Sequence, residues 1–459
     1  MKPIYDAADM LIVSSRLDPL PNVAIDAICN GLPVLCFSGA TGLAEILEHN
    51  GLFDTCVATY LDTVDMANKV IKLSESNELR ESVSKISRVI AAEVFDMDIY
   101  ITKILSIAKE ECKRSIQEQE DVNTIRESNL LNIEFYLAPH QKDMDVGQAI
   151  QMFIRSWATG IERRKPFPSF HPGIYIEKHG LSDKYINPFA DYIKSGMPEG
   201  PWKLELITES EPPKVLSGGN RVGLHIHVHY LDIFEDILQR LKVNQVTPDL
   251  LISVTSDEAF DYIQRKLDED GRYVFDIRKV PNIGRDIGSF LTEFNTKIMN
   301  EYDIIGHVHT KKSLHCESEK IGRNWYVFLM ENLLGGEINM MADIILGHME
   351  SNPKIGMVYP DDPHIIGWDQ NKVYIEEYAD KLGIKDIPHY INFPVGTMFW
   401  ASTKALQSIF RLNIQWNEYP TEPAPIDGTL LHGLERFFVL PVIENGFTIA
   451  NTYIKGVTR

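Results

Sequence analysis

The stretch Tyr302 to Cys316, YDIIGHVHTKKSLHC, crosses from an apolar run into imidazoles and ammonium groups. Tyr302 to Ile305 reads as a buried strand. Gly306 follows as a point of close backbone approach, and His307, His309, Lys311 and Lys312 mark the carboxyl end, where α/β proteins bind ligands. Alternation sets His307 and His309 on one face, so both imidazoles address one ligand, and the two lysines add positive charge beside them. In a chain of net charge −20 this cluster points to a phosphate-bearing ligand. The plainer alternative is a solvated strand end carrying one core histidine.

Two more stretches carry related chemistry. In PNIGRDIGSFL, starting at Pro281, glycines allow close backbone approach. Arg285 suits a bidentate contact to phosphate or carboxylate, Asp286 suits a ribose or sugar hydroxyl, and Asn282 joins them as a donor-binding candidate. Asp286 as a plain helix cap is the alternative. In IDGTLLHGLERFF, Asp427, His432, Glu435 and Arg436 lie on or just before a helix, and His432 and Glu435, three apart, share a face. Asp427 and Glu435 are candidate bases for a hydroxyl proton, and Glu435 is equally suited to orient His432. Asp427 is preferred because a loop or helix-start position is more open to substrate.

The elements that must position these residues alternate in type. Val222–Val228, Asp249–Val254 and Tyr273–Val280 read as strands, with helices at Leu231–Leu241 and Glu258–Glu269 between them. That order predicts a mainly parallel sheet with a ligand crevice at its carboxyl edge. Nearer the N-terminus, Asp9–Ser14 and Pro33–Phe37 read as strands and Asn22–Asn30 and Gly42–His49 as helices, followed by helices from Leu61 to Cys112. Lys113–Asn129 is polar and reads as a solvated helix or linker, and a loose repeat of short aromatic-anchored helices follows it. Three regions are expected: 1–112, 113–214 and 215–459.

A length of 459 residues suits two or three domains, and 44% hydrophobic with 24% charged residues is globular. The negative charge argues against nucleic acid as a partner. Five scattered cysteines without CxxC pairing fit a reducing compartment, and the N-terminus has no secretory signal, so a cytoplasmic location is expected.

Within SRLDPLPNVAIDAICNGLPV, Asp18 and Asp26 have seven residues between them, and Pro21 and Asn22 open a helix. This segment resembles the C-terminal nucleotide-binding half of family-four glycosyltransferases of the GT-B fold. The resemblance implies that Asp18 meets the donor sugar, Asp26 the ribose, and backbone near Pro21 and Asn22 the diphosphate. The family usually has Glu at both acidic positions. The acceptor half and the upstream basic residues are not seen, so a remnant donor motif in a partial GT-B unit is expected here.

The later motifs HVHYLDIFEDIL, NIGRDIGSFL, HVHTKKS, FPVGTMFWAST and DGTLLHGLERF resemble, in this order, the rhamnan synthesis protein F family of bacterial polysaccharide glycosyltransferases. Their order also resembles the GT-A fold, although the metal-binding DxD pair is absent from the strand that would carry it. The resemblance implies transfer of a deoxysugar, such as rhamnose from dTDP-rhamnose, to a lipid-linked or polymeric glycan acceptor for a cell-surface polysaccharide or O-antigen. It also implies peripheral association with a membrane assembly machinery at the inner face. Lysines and histidines in place of DxD lead to the expectation of no metal cofactor. Two rivals stand beside this reading: a glycan-binding scaffold without turnover, and a metal-dependent hydrolase built on HIHVH at His225 and HVH at His307.

Overall fold

The computed structural model describes residues 2–181, 186–213, 218–310, 319–336 and 339–457. The chain divides into two compact units, Met1–Ile116 and Gln117–Arg459.

The first unit holds a parallel sheet of β1 (Leu11–Val13), β2 (Val34–Phe37) and β3 (Val57–Ala58) in that order. Every residue of the central strand, Val34-Leu35-Cys36-Phe37, is buried, as a parallel strand covered on both faces requires. Helices Asn22–Cys29 and Leu43–His49 follow β1 and β2. Asp62 and Ser76 then start the helices Thr63–Glu75 and Asn77–Val94 by accepting from backbone N–H groups of the first turns. The polar stretch from Lys113 is the last part of a helix, Met97–Ser128.

The second unit is built on an eight-stranded sheet. Its strands are β4 (Glu205–Thr208), β5 (Val222–Val228), β6 (Asp249–Val254), β7 (Phe275–Lys279), β8 (Ile304–His309), β9 (Ile355–Pro360), β10 (Phe399–Ser402) and β11 (Thr448–Tyr453). The spatial order is β4-β11-β9-β10-β8-β5-β6-β7, and β10 alone runs against its neighbours. From β5 the chain winds outward through β6 to β7, then returns to place β8 on the other side of β5. The order therefore reverses between β5 and β8, and a crevice opens at the carboxyl ends of strands at such a point.

The strand expected to stop at Ile305 runs on through His309. Gly306 does not end it, because β8 is clamped between β5 and β10 along its length. A Cβ at position 306 would meet Leu224 Cδ1 at 2.6 Å and the Trp400 ring at 2.8 Å, so the glycine makes room for its neighbours' side chains.

The stretch expected as a separate linker, 113–214, mostly belongs to this second unit. Helices Ile133–Tyr136, Val146–Thr159, Pro172–His179 and Pro188–Lys194 close around Phe153, Trp157, Phe170, Tyr175, Phe189 and Tyr192, all buried. Asp145 and Gln148 form a reciprocal cap on Val146–Thr159, and Gly160, at φ 77°, ends it. The segment then supplies the edge strand β4. Its Lys165 forms a buried ion pair with Asp361, just past β9, at 2.6 Å. Burying these aromatic side chains against one another gives the segment a core of its own, tied to the sheet through β4, the Lys165–Asp361 pair and the Phe135–Tyr453 ring contact. Among the described residues, no helix is long and apolar enough to cross a membrane.

Candidate functional site

The parallel register of β5 and β8 sets His225 opposite His307 and His227 opposite His309. Ser253 on β6 lies opposite His227. The intervening Ile226 and Val308 point the other way, into the core under the opposite face. Two alternating motifs thus put four imidazoles on one face of adjacent strands, at the switch point of the sheet.

The segment after β7 covers this face. Gly284, at φ 71°, turns the chain where a Cβ would meet the Tyr419 ring at 2.9 Å, and Arg285 continues the turn at φ 50°. Asp286 then lies over the histidines, with Phe290 and Phe294 packed beside them. His307 Nε2 lies 3.3 Å from Asp286 Oδ2, and the Nδ1 atoms of His307 and His225 are 2.8 Å apart. Ser253 Oγ lies 3.2 Å from His225 Nε2 and 2.9 Å from His227 Nδ1. Ser289 Oγ lies 3.4 Å from His227 Nδ1 and donates to the Asp286 carbonyl at 2.9 Å, which closes the circuit.

Burial alone would raise the Asp286 carboxyl, but His309, the hydrogen bond from His307 and His227 outweigh it and hold the carboxyl well below the usual range. Burial pushes His225 well below an ordinary imidazole and His227 down to about 4, reinforced by neighbouring imidazoles and opposed by Asp286.

In front of this circuit lies a cavity of about 330 Å³. Arg285, Asp286, His309, His432 and Glu435 give its polar groups, and Trp325, Tyr326, Leu329, Met398, Ile426 and Leu431 its apolar wall. His309 donates through Nε2 to the Gly396 carbonyl at 2.8 Å, and the Gly396 N–H donates to Glu435 Oε1 at 2.6 Å. Gly396 sits at φ 76°, a conformation that favours glycine. Thr429 Oγ1 lies 2.8 Å from His432 Nδ1 at the start of the helix Leu430–Phe437.

Five sequence candidates, Arg285, Asp286, His309, His432 and Glu435, thus converge on one cavity. Others do not. His307 is fully buried behind Asp286 and does not line the cavity, because its imidazole is turned to His225. Asp427, the preferred base, is absent from the lining and accepts from Asn371 Nδ2 at 2.8 Å. Asn282 is exposed outside the cavity. Arg285 lines the cavity with its guanidinium already paired to Glu422 at 2.8 Å. Lys311 and Lys312 lie outside the described residues.

In the first unit, Asp18 follows β1 with its N–H on the Ala40 carbonyl at 2.9 Å. Pro21 precedes the helix Asn22–Cys29, which contains Asn22 and the exposed Asp26.

The sequence reading missed Ser253, Ser289 and Trp325. The two serines stand alone in apolar surroundings and carry a signal only once their strand or helix is paired with the histidines. Trp325, within RNWYVFLMENLL, reads as an ordinary amphipathic helix residue. Thr310 was also missed: its hydroxyl accepts from the N–H groups of His229 and Tyr230 at 2.7 and 2.9 Å and ties the ends of β5 and β8 together.

The hydrolase reading needs three or more ligands on one ion, and His225 and His307 are instead paired with each other, their Nδ1 atoms 2.8 Å apart. Among the described residues, no three His, Cys, Asp or Glu side chains form a group suited to a metal ion.

The motif-bearing elements of this site, from Asn282 to Arg436, all fall within a match to the rhamnan synthesis protein F model, which covers residues 192–447. The chain belongs to the rhamnan synthesis protein F family. A second match, glycosyl transferases group 1, covers residues 1–89 and contains Asp18 to Asp26. The curated relatives of this family member include two copies of "Uncharacterized protein WxcX" from Xanthomonas campestris pv. campestris, strains B100 and ATCC 33913. Each is 30% identical over 247 residues, which is 51% of this chain and 33% of the relative. The matched stretch thus spans about a third of those relatives' length.

Proposed function

We propose that the second unit is a glycosyltransferase that moves a sugar, a deoxysugar such as rhamnose, from a nucleotide donor to a growing cell-surface glycan. The observation that carries this reading is the convergence of two carboxylates, Asp286 and Glu435, with His309 and His432 on one mainly apolar cavity at the switch point of the sheet. A sugar ring has the same division: hydroxyls for the polar groups and C–H faces for Trp325 and Tyr326. In transfer, an acceptor hydroxyl oxygen bonds to the anomeric carbon as the bond to the diphosphate breaks, and the hydroxyl proton passes to a base.

Glu435 is the base in this scheme. Asp286, held ionised far below neutral pH, is a weak base and a strong acceptor for donor hydroxyls. Lys311 and Lys312, which follow Thr310 directly in the sequence, are the diphosphate candidates. Membrane-face association and an O-antigen product rest on the family likeness alone.

A panel of nucleotide sugars, followed by thermal shift and nucleotide release on the full chain, tests this. One donor should stabilise the protein and turn over slowly, and Glu435→Gln should keep the shift and lose the turnover. Retention of glycan with no response to any nucleotide sugar would replace the transferase with a glycan-binding scaffold.

A further inference from the structure

The hydrogen-bonded circuit behind the cavity contains more groups than sugar transfer calls for. His225 and Ser253 are fully buried and do not line the cavity. We propose that His225 and Ser253 are positioning residues that fix which nitrogen of His307 carries its proton, and that His307 in that tautomer orients Asp286 toward the cavity. This rests on the donor-binding role given above to Asp286.

The proton order follows from counting donors and acceptors. An ionised Asp286 only accepts, so His307 Nε2 carries a proton across the 3.3 Å contact. The Ser253 hydroxyl has one proton for two imidazoles, His225 Nε2 at 3.2 Å and His227 Nδ1 at 2.9 Å. If that proton goes to His225 Nε2, then His225 donates through Nδ1 to Nδ1 of His307, and His227 donates through Nδ1 to Ser253. Each of these contacts then has one donor and one acceptor, and a single charge appears, on Asp286 at the cavity wall.

The reverse order places a second proton on His307, a full cation at zero exposure between Phe290 and Phe399, whose ring centroids are 4.5 and 5.6 Å away. That cation would have Asp286, 3.3 Å away, as its ionic partner and no contact with water, so the order with neutral imidazoles is the one assigned. The groups facing Asp286 are His227 from β5 and His307 and His309 from β8, with His432 and Glu435 lining the same cavity. The neighbouring Arg285 is paired with Glu422.

The full chain labelled with ¹⁵N-histidine tests this by long-range ¹H–¹⁵N correlation at pH 7. His307 should carry one proton, on Nε2, and His225 one, on Nδ1, while Ser253→Ala should turn His225 into a mixture of tautomers. In turnover, His225→Leu should raise the donor KM by about tenfold with a smaller change in kcat, and His225→Asn, which keeps an N–H donor, should restore most of it. A doubly protonated His307, or one protonated on Nδ1 alone, overturns the proposal. So does a His225→Leu variant that loses kcat with its donor KM unmoved. The stated tautomers in a protein that turns over no nucleotide sugar would leave the positioning intact and remove the transferase reading.

Discussion

His309 and Glu435 are joined through a single residue: the Gly396 carbonyl accepts from His309, and the Gly396 N–H donates to Glu435. The imidazole comes from a central strand and the carboxylate from a helix 126 positions later in the chain, so one glycine sets the distance between two cavity walls. Glu435→Gln keeps an oxygen to accept the Gly396 N–H and removes the basic carboxylate, together with its 3.6 Å ion pair to Arg436. Donor affinity should stay near wild type, while single-turnover transfer falls by about a hundred- to ten-thousandfold. Calorimetry with the nucleotide sugar, paired with rapid-quench transfer, separates the two. Wild-type transfer by this variant would remove Glu435 as the base.

Asp427 should behave differently. Its carboxylate accepts from Asn371 Nδ2, whose own carbonyl oxygen accepts from the Gly428 N–H at 3.1 Å, so it pins the loop before the helix Leu430–Phe437. Asp427→Ala should cost about 1 to 2 kcal/mol of stability and leave transfer within a few-fold of wild type. A loss of transfer as deep as that of Glu435→Gln, with an unchanged unfolding midpoint, would return the base to Asp427.

Much of this geometry was legible in the sequence because it depends on period. Alternation in HIHVH and HVH placed the imidazoles on one face, and the order of strands and helices gave the parallel sheet and its carboxyl edge. What was not legible depends on pairing between distant strands. Nothing in HVHTKKS says that His307 will meet His225, 82 positions away, and so face inward and not toward a ligand. A loop position makes Asp427 the more accessible of the two carboxylates in the sequence, yet Asn371, from another loop, occupies it. The polar stretch from Lys113 and the short helices after it looked like a spacer because the aromatic residues that close their core are spread over many turns.

The buried histidines give the second unit a defined response to acid. His225 and His227 stay neutral in the folded protein to well below the ordinary imidazole range, in the case of His227 to about 4. The unfolded chain takes up their protons near pH 6.5, so between there and about pH 4 it binds more protons and stability is lost as the pH falls. Each contributes about 1.4 kcal/mol per pH unit in that window. The lowered Asp286 carboxyl adds stability that is present above about pH 4 and lost only below it, outside this range. Urea unfolding between pH 7.5 and 5 should show the loss, and His227→Asn should lower its slope by about 1.4 kcal/mol per pH unit, leaving the share of His225 and the buried His171. A midpoint independent of pH there would mean that these imidazoles are not buried as neutral groups.

The last prediction concerns what holds the helical segment to the sheet. Lys165 and Asp361 are 2% and 0% exposed, and the pair has two further partners: Lys165 donates to Asn392 Oδ1 at 2.9 Å, and Asp361 accepts from the Ser169 N–H. Burial still pulls the Asp361 carboxyl above its usual range despite Lys165, so the pair stands on balanced costs. Lys165→Met leaves an uncompensated carboxylate and should cost about 3 to 5 kcal/mol. Asp361→Asn alone leaves a buried ammonium and should cost a similar amount. Combined, the two changes remove both charges while the Asn oxygen still accepts from Ser169, so the double variant should be more stable than the sum of the single losses predicts. A double-mutant cycle by urea unfolding measures that coupling. Losses that simply add would mean that Lys165 and Asp361 act independently, and that the aromatic core around Phe170 and Tyr192 alone holds the segment in place.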